Sequence, residues 1–356
     1  MSVNVKGETG LILIDGAIGE GGGQVLRTSL ALSILLLKPF EMINIRANRP
    51  NPGIQPQHLK AIESSAVISD AVVEGAYLKS NRIRFYPSRI KFGNFRFDIG
   101  TAGSTSLVLQ TLYLPLSFSN GTSTLVIIGG THVAWSPTFD YIKNCWIYFM
   151  ERIGLKIKVE MKRAGFYPHG GGEIKAVISP TQGVKPIKLI ERGKLSKIQI
   201  YSAHTNLTDE VAQRQAKAAE KVLKGYSEVE VIVDELKSHS KNTTIAITGI
   251  FENTVCCYTN LGERGKRAEI VAEEACEKFI RFISSGAVVD EHMADQILLP
   301  LSIADGVSEF TTPRITNHLL TNIETIKKFL EVDFEIEELG NSFKVKIKPG
   351  EFKHEG

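Results

Sequence analysis

The feature that most restricts the fold is an order of elements that recurs along the chain. Residues 11–14 are an apolar run typical of a strand, a glycine-rich turn follows, and residues 24–38 have the length and composition of a helix. A strand at 42–47, a helix at 57–71 and two strands ending at Tyr86 complete a β-α-β-α-β-β order. This order predicts a mixed α/β (α+β) fold.

Two further copies of the order are predicted downstream. The second has helices at residues 104–116 and 139–153 and strands at 125–128, 155–162 and 173–178. The third has helices at 295–304 and 318–330 and strands at 309–312, 333–339 and 343–347. We therefore predict a large domain in two segments, 1–184 with repeats 1 and 2 and 284–356 with repeat 3. A smaller α/β domain is predicted as an insert at 185–283.

Composition limits the classes of protein that this chain can be. The 356 residues are 43% hydrophobic, which is enough for a sizeable core, and the net charge of +3 argues against a protein that coats duplex nucleic acid. A local basic patch remains compatible with that charge. The longest apolar stretch, residues 30–37, is far shorter than the ~20 residues of a membrane span. Four cysteines without C-x-x-C spacing fit a reducing cytoplasm, so we expect a cytoplasmic protein that does not span a membrane.

The first glycine cluster, residues 19–24 with the sequence GEGGGQ, lies between a predicted strand and a predicted helix. Glycines allow close approach of a ligand, and a helix start offers free N–H groups to a phosphate. The cluster matches neither a P-loop nor the dinucleotide fingerprint. A tight structural turn is the alternative, but Glu20 within the cluster favours a phosphate site that also holds a divalent metal.

Three arginines follow this cluster. Arg27 lies on the first turns of the predicted helix, and Arg46 and Arg49 precede a rigid turn at Pro52. Guanidinium groups match phosphate oxygens in bidentate fashion, so Arg46 and Arg49 can converge on one anion. Ordinary solvated surface arginines are the alternative.

Two later helix starts are also candidates. Residues 100–106 carry glycine, serine and threonine where an anion or a nucleotide can bind, with Gln110 further along the helix; helix capping is the alternative. At the last helix, Thr316 or Asn317 can serve as the N-cap, which places His318 in the first turn. The helix dipole there favours a neutral imidazole, and histidine can act as a covalent nucleophile.

The motifs together resemble the RNA 3′-terminal phosphate cyclase family over nearly the whole chain. They occur in order at residues 15–16, 19–24, 26–27, 45–49, 52–53, 57–59, 103–104, 107–111, 165–168, 170–172, 294–296 and 318–323. Residues 131–137 match least well, and it stays open whether they stack adenine or shape the site. The insert matches mainly in outline, so no site residue is assigned there.

The resemblance implies three β-α-β-α-β-β repeats with an inserted domain, and an ATP-dependent reaction in three steps. A histidine takes AMP from ATP, the AMP passes to an RNA 3′-phosphate, and the 2′-hydroxyl then expels AMP to leave a 2′,3′-cyclic phosphate. By motif, His318 is the expected nucleophile, and Glu20 binds nucleotide together with Mg²⁺ or Mn²⁺. The other expected site residues are Gln110, Asp295 and Gln296 for ATP, and Arg27, Arg46, Arg49 and Gln57 for phosphates and the RNA end.

Two other hypotheses remain. Relatives of the same fold without the histidine act as ribosome-assembly or rRNA-processing factors, and enolpyruvyl-type transferases use related repeats. The presence of His318 in the expected context favours the enzyme. The adenylylation motifs argue against the transferase, which needs phosphoenolpyruvate and forms no covalent AMP.

Overall fold

The computed structural model describes residues 10–352, and the predicted mixed α/β class is confirmed. The first sheet has the strand order β1-β2-β4-β3, with β1 and β2 parallel and the other pairs antiparallel. Its elements are β1 (Ile12–Asp15), α1 (Gly23–Leu36), β2 (Phe40–Ile43), α2 (Pro56–Ser69), β3 (Val72–Glu74) and β4 (Ile83–Tyr86). Pro56 begins α2 at a position where a missing N–H costs nothing.

Two more sheets have the same connectivity. The second sheet runs β5-β6-β8-β7 and the third runs β9-β14-β16-β15, each with one parallel and two antiparallel pairs. The second contains β5 (Asn94–Asp98), α3 (Thr105–Ser117), β6 (Ser123–Gly129), α4 (Phe139–Tyr141), a π-helical segment (Ile142–Trp146), α5 (Ile147–Arg152), β7 (Lys156–Arg163) and β8 (Gly172–Ser179). The third contains β9 (Lys188–Leu189), α8 (Glu291–Leu301), β14 (Ser308–Thr312), α9 (Asn317–Lys327), β15 (Val332–Leu339) and β16 (Ser342–Pro349).

The fourth sheet has a different order, β11-β10-β12-β13. Helices α6 and α7 pack against each other and against this sheet, around a separate apolar cluster that includes Phe279 and Phe282. Its elements are β10 (Leu195–Thr205), α6 (Asp209–Leu223), β11 (Glu228–Glu235), β12 (Asn242–Phe251), β13 (Val255–Leu261) and α7 (Ala268–Ser285).

Helices of the three similar units pack around α1. Helix α1 contacts α2, α3 and α9, and its residues from Leu30 to Leu35 are all buried. A helix that is apolar on every side is stable only inside a core. This packing brings the starts of α1, α3 and α9 towards one region of the molecule.

Several predicted boundaries differ from the structure. Strand β2 ends at Ile43, four residues before the predicted end, because Asn44 and Arg46 take positive φ values of 53° and 54°. Strand β5 was not predicted. Strand β9 was not predicted either, and although it falls within the predicted insert, it pairs with β14 of the third sheet. The boundaries at 184 and 283 stay a prediction, and residues 1–9 and 353–356 lie outside the described residues.

Within residues 10–352, none of the helices combines the length and the apolar character that a membrane span requires.

Candidate active site

His318 occupies the first turn of α9, as predicted. Thr316 is the N-cap, and its hydroxyl accepts a hydrogen bond from the Leu319 N–H at 2.9 Å. The same hydroxyl donates to Oδ1 of Asp295 at 2.5 Å, which ties the start of α9 to α8. His318 is thus held by a capped helix start that is anchored to a neighbouring helix.

The imidazole of His318 contacts the first glycine cluster. Its Nδ1 lies 2.6 Å from Oε1 of Gln24, and its Nε2 lies 3.3 Å from Oε2 of Glu20. Both the amide oxygen of Gln24 and the carboxylate of Glu20 only accept, and the shorter contact to Gln24 favours the neutral tautomer with the proton on Nδ1 and the lone pair on Nε2. Glu20 also accepts a hydrogen bond from Nη2 of Arg49 at 3.0 Å.

The pKa of His318 lies below its usual value of 6.5. Burial is the main cause, the positive charges of Arg27 and Arg49 add to it, and the charge of Glu20 opposes it. The lowered pKa supports the predicted neutral ring, and burial together with the two arginines favours it. A ring that is neutral near pH 7 has its Nε2 lone pair available.

The glycine cluster packs tightly beside His318. A Cβ on Gly19 would lie 2.0 Å from Oγ1 of Thr321, and one on Gly23 would lie 2.2 Å from Nε2 of His58. Gly19 also has a φ of 58°, which a residue with a side chain adopts only with strain. Helix α1 begins at Gly23 without a side-chain cap, so its first N–H groups are open to an anion.

Arg27 lies behind these N–H groups and lines a cavity. Burial lowers the pKa of its guanidinium to about 10. Among residues 10–352 no acceptor or carboxylate is paired with it. Neighbouring His58 is buried, and its pKa is lowered to about 3 by burial and then by the charges of Arg27 and Arg46, so it provides no counter-charge. An unpaired guanidinium of this kind is suited to an anionic ligand.

The other two arginines and Gln57 lie outside the lining of this cavity. Arg46 donates to the carbonyl oxygens of Asn51 and Gly53, at 2.5 and 3.1 Å, and so holds its own loop. Arg49 reaches Glu20, so the structure does not bring the two guanidinium groups onto one acceptor. Oε1 of Gln57 accepts from the N–H of Ser104 at 3.5 Å, which links α2 to the start of α3.

The cavity has a volume of 1120 Å³ and is lined by five of the predicted site residues. These are Arg27, Gln110, Asp295, Gln296 and His318. The side-chain nitrogen of Gln110 donates to the side-chain oxygen of Gln296. Burial raises the pKa of Asp295 to about 8, so that carboxyl is largely protonated at pH 7.

Several lining residues were not predicted. The fourth sheet and its helix α7 supply one wall through Tyr258 of β13 and Lys278 and Arg281 of α7, and the loop before α4 supplies Trp135. Helix α7 is amphipathic, and its cations are spaced like those of an ordinary solvated face. Only the packing of the insert against the other sheets reveals that they face a cavity.

Glu20 is the predicted metal ligand. Within the described part of the chain no three His, Cys, Asp or Glu side chains are grouped so that they could hold a metal ion. Mg²⁺ commonly binds through one or two carboxylates plus substrate phosphates rather than through an all-protein cage. A single carboxylate beside an anion site therefore fits an ion that arrives with a nucleotide.

The RNA 3′-terminal phosphate cyclase family matches residues 18–336. The chain is 43% identical over 342 residues to the RNA 3′-terminal phosphate cyclase of Pyrobaculum neutrophilum, covering 95% of this chain and 98% of the relative. It is 44% identical over 347 residues to that of Caldivirga maquilingensis, with the same coverage. It is 45% identical over 333 residues to that of Sulfurisphaera tokodaii, covering 92% and 96%. The chain therefore belongs to the RNA 3′-terminal phosphate cyclase family.

Proposed function

We propose that this chain is an ATP-dependent RNA 3′-terminal phosphate cyclase that uses His318 as a covalent nucleophile and works in the cytoplasm. The observation that carries the proposal is a neutral imidazole, oriented by Gln24, at a cavity that also contains the unpaired guanidinium of Arg27. The names of the relatives support the substrate, RNA with a 3′-phosphate end.

In the first step, Nε2 of His318 attacks the α-phosphorus of ATP, an N–P bond forms and pyrophosphate leaves. The Nδ1–H bond to Gln24 keeps the ring in the tautomer that presents the Nε2 lone pair. Arg27 and the uncapped start of α1 offset negative charge that develops on the phosphates. Gln110, Asp295 and Gln296 line the space for the nucleotide.

In the second step, an oxygen of the RNA 3′-phosphate attacks the same phosphorus, and the N–P bond to His318 breaks. In the third step, the neighbouring 2′-hydroxyl oxygen attacks the activated 3′-phosphorus. The hydroxyl loses its proton and AMP leaves. Holding the two groups together makes ring closure intramolecular, which is a proximity effect. Arg49 contacts Glu20, which in turn contacts His318, and we assign Arg49 to binding of the RNA phosphate. Arg46 and Gln57 support the loop and the start of α3 around it.

A divalent ion, Mg²⁺ or Mn²⁺, would be held by Glu20 and would neutralise phosphate charge when bound. Glu20 has only one oxygen engaged with Arg49 and His318, so its carboxylate retains coordinating capacity.

Self-labelling tests the proposal. The protein is incubated with ATP labelled at the α-phosphate and Mg²⁺ or Mn²⁺, then run on a denaturing gel. We expect an acid-labile, alkali-stable label on the wild type, none on His318→Ala, and full label on the control His169→Ala, which changes an exposed histidine elsewhere. A parallel assay follows conversion of a 3′-phosphate oligoribonucleotide to a phosphatase-resistant end. Absence of label on the wild type with either metal would overturn the proposal.

A further inference from the structure

Trp135 is the most conspicuous exposed side chain of the described residues that the proposed reaction does not use. It is fully exposed, whereas the other tryptophan of the chain, Trp146, is fully buried. Its backbone has a φ of 63°, in the left-handed region that is unfavourable for a bulky residue. An exposed large aromatic group in a strained conformation suggests a binding role more than a packing role.

The loop that carries Trp135 is fixed at both ends. The His132 ring is buried between Oγ1 of Thr131 at 2.8 Å and Oδ2 of Asp140 at 3.0 Å. That ring also stacks on Phe166, with ring centroids 5.1 Å apart. The N–H of Phe139 donates to the carbonyl of Thr131 at 2.9 Å and closes the loop. The indole is therefore presented to solvent from a rigid base, which reduces the entropy lost when it binds a ligand.

Cations from the insert lie around the same cavity. Lys278 and Arg281 are three residues apart on α7, so they share one face of the helix, and both line the cavity with Trp135. Lys278 is half-buried and has no ion-pair partner within residues 10–352. The pKa of Lys278 is lowered, chiefly by burial, and the charges of Glu274 and Glu291 oppose that shift.

The cavity is large for a small-ligand pocket. Its 1120 Å³ exceed the upper end of the range of about 300–1,000 Å³ that is typical of pockets for small ligands. The residues proposed for ATP lie at α1, α3, α8 and α9, whereas Trp135 comes from the loop before α4 and the two cations come from α7. The cavity therefore has an aromatic and two cationic lining residues that the proposed ATP site does not use.

We propose that Trp135, Lys278 and Arg281 form a binding surface for the RNA strand upstream of its 3′-phosphate end. Trp135 stacks on an unpaired base, and the two cations contact backbone phosphates. Aromatic platforms combined with cations are the usual means of binding single-stranded nucleic acid without sequence preference. This inference deepens the proposed function and rests on it for the identity of the substrate.

Kinetics of Trp135→Ala and Trp135→Phe provide the first test. The probe is a ten-nucleotide oligouridylate with a 3′-phosphate. Loss of one base stack is expected to raise its KM about tenfold, with kcat little changed. Trp135→Phe should restore most of the affinity. The ATP concentration that half-saturates self-labelling of His318 should stay within about twofold, because the indole is assigned to RNA. A rise in the ATP requirement with an unchanged KM for RNA would assign Trp135 to adenine and overturn the proposal. The proposal would also be overturned if neither the ATP requirement nor the KM for RNA changed.

The cations are tested by salt dependence. Lys278→Ala/Arg281→Ala should weaken oligouridylate binding and lower the slope of log K against log salt by about 0.7 for each lost contact. The matched control Lys217→Ala/Lys221→Ala removes the same charge from exposed positions on α6 and should leave the slope unchanged. Equal slopes in both double variants would overturn the role of the α7 cations.

Fluorescence separates this inference from the proposed reaction. Oligouridylate should quench the emission of Trp135 without ATP, and the quenching should vanish in Trp135→Phe, which retains only buried Trp146. If the wild type neither labels His318 nor cyclises RNA but is still quenched, the RNA surface stands and the proposed reaction fails. The proposed RNA surface is wrong if the enzyme is active, RNA does not quench Trp135, and the KM for oligouridylate is unchanged in the Trp135 variants.

Discussion

The glycine-rich helix starts at residues 19–23 and 100–104 are similar in sequence but differ in what their N–H groups contact. Before α3, the Gly100 N–H donates to Asp98 at 2.8 Å, the Gly103 N–H to Thr101 at 3.2 Å, and the Leu107 N–H to the Ser104 hydroxyl at 3.3 Å. Side chains of the same segment thus occupy these donors. Before α1, no side chain within the described residues caps the helix.

The surroundings of the two starts differ as well. Unpaired Arg27 follows the first start, and Glu20 within it reaches His318. Arg96, near the second start, is exposed and paired with Glu173 at 3.3 Å. Open N–H groups and an unpaired cation together favour an anion, whereas satisfied donors stabilise a helix. Helix capping was the alternative interpretation of residues 100–106, and Ser104 does cap α3.

The largest expected effect is that of Arg27→Met. Removing a preorganised positive charge from the developing charge on phosphate should slow self-labelling by about 100-fold or more. The melting temperature should not fall, since a half-buried cation without a partner costs free energy in the folded state. Arg96→Met at the second start serves as the control and should label normally. Equal losses of activity in Arg27→Met and Arg96→Met would show that the two helix starts do not differ in their role in self-labelling.

Packing of the two glycine segments is tested by Gly19→Ala and Gly100→Ala. Both positions have positive φ, 58° and 74°, so each alanine should cost about 1–2 kcal/mol of unfolding free energy. In Gly19→Ala the new methyl group also clashes with Thr321, and such overpacking should cost about 1–3 kcal/mol more of unfolding free energy. Among the described residues, no atom lies close enough to Gly100 for a similar clash. Urea denaturation measures the difference. Equal losses would mean that contact with α9 does not constrain the first loop.

The pH dependence of self-labelling tests the charges around His318. The neutral imidazole is the nucleophile and its pKa is lowered, so the rate at saturating ATP should fall only below pH 6.5. Arg27 lowers this pKa and Glu20 raises it, so Arg27→Met should move the acidic limb to higher pH and Glu20→Gln to lower pH. Shifts in the same direction would contradict the assigned charges. Arg96→Met should leave the limb in place.

The smallest effect is expected at the second helix start. Ser104→Ala removes the N-cap of α3 and should cost about 1 kcal/mol of unfolding free energy without slowing self-labelling. Thr316→Ala removes the corresponding cap of α9 and should cost a similar amount. It should also slow self-labelling, because the Thr316 hydroxyl anchors the turn that holds His318. Slower labelling in Ser104→Ala would place the second start in the active site.

Local signals in the sequence were sufficient for several conclusions. The N-cap at Thr316 and the position of His318 in the first turn follow from residues adjacent in the chain. The mixed α/β class follows from periodicity, and membership of the family from motifs spread over its length. Strands β5 and β9 were missed because their stability depends on pairing with β6 and β14 rather than on their own composition.

The properties that decide chemistry depend on residues far apart in the sequence. His318 and Gln24, which sets its tautomer, are 294 positions apart, as are Thr28 and Asn322. Whether an N–H group is open, a guanidinium is paired or an imidazole is neutral depends on burial and on neighbours supplied by other elements. The sequence by itself therefore determined the class of fold and the family, and it supplied the candidate site residues. The tertiary structure alone decided which glycine-rich helix start is open to an anion, and that β13 and α7 form a wall of the cavity. The physical reason is that desolvation and pairing arise only when distant segments pack together.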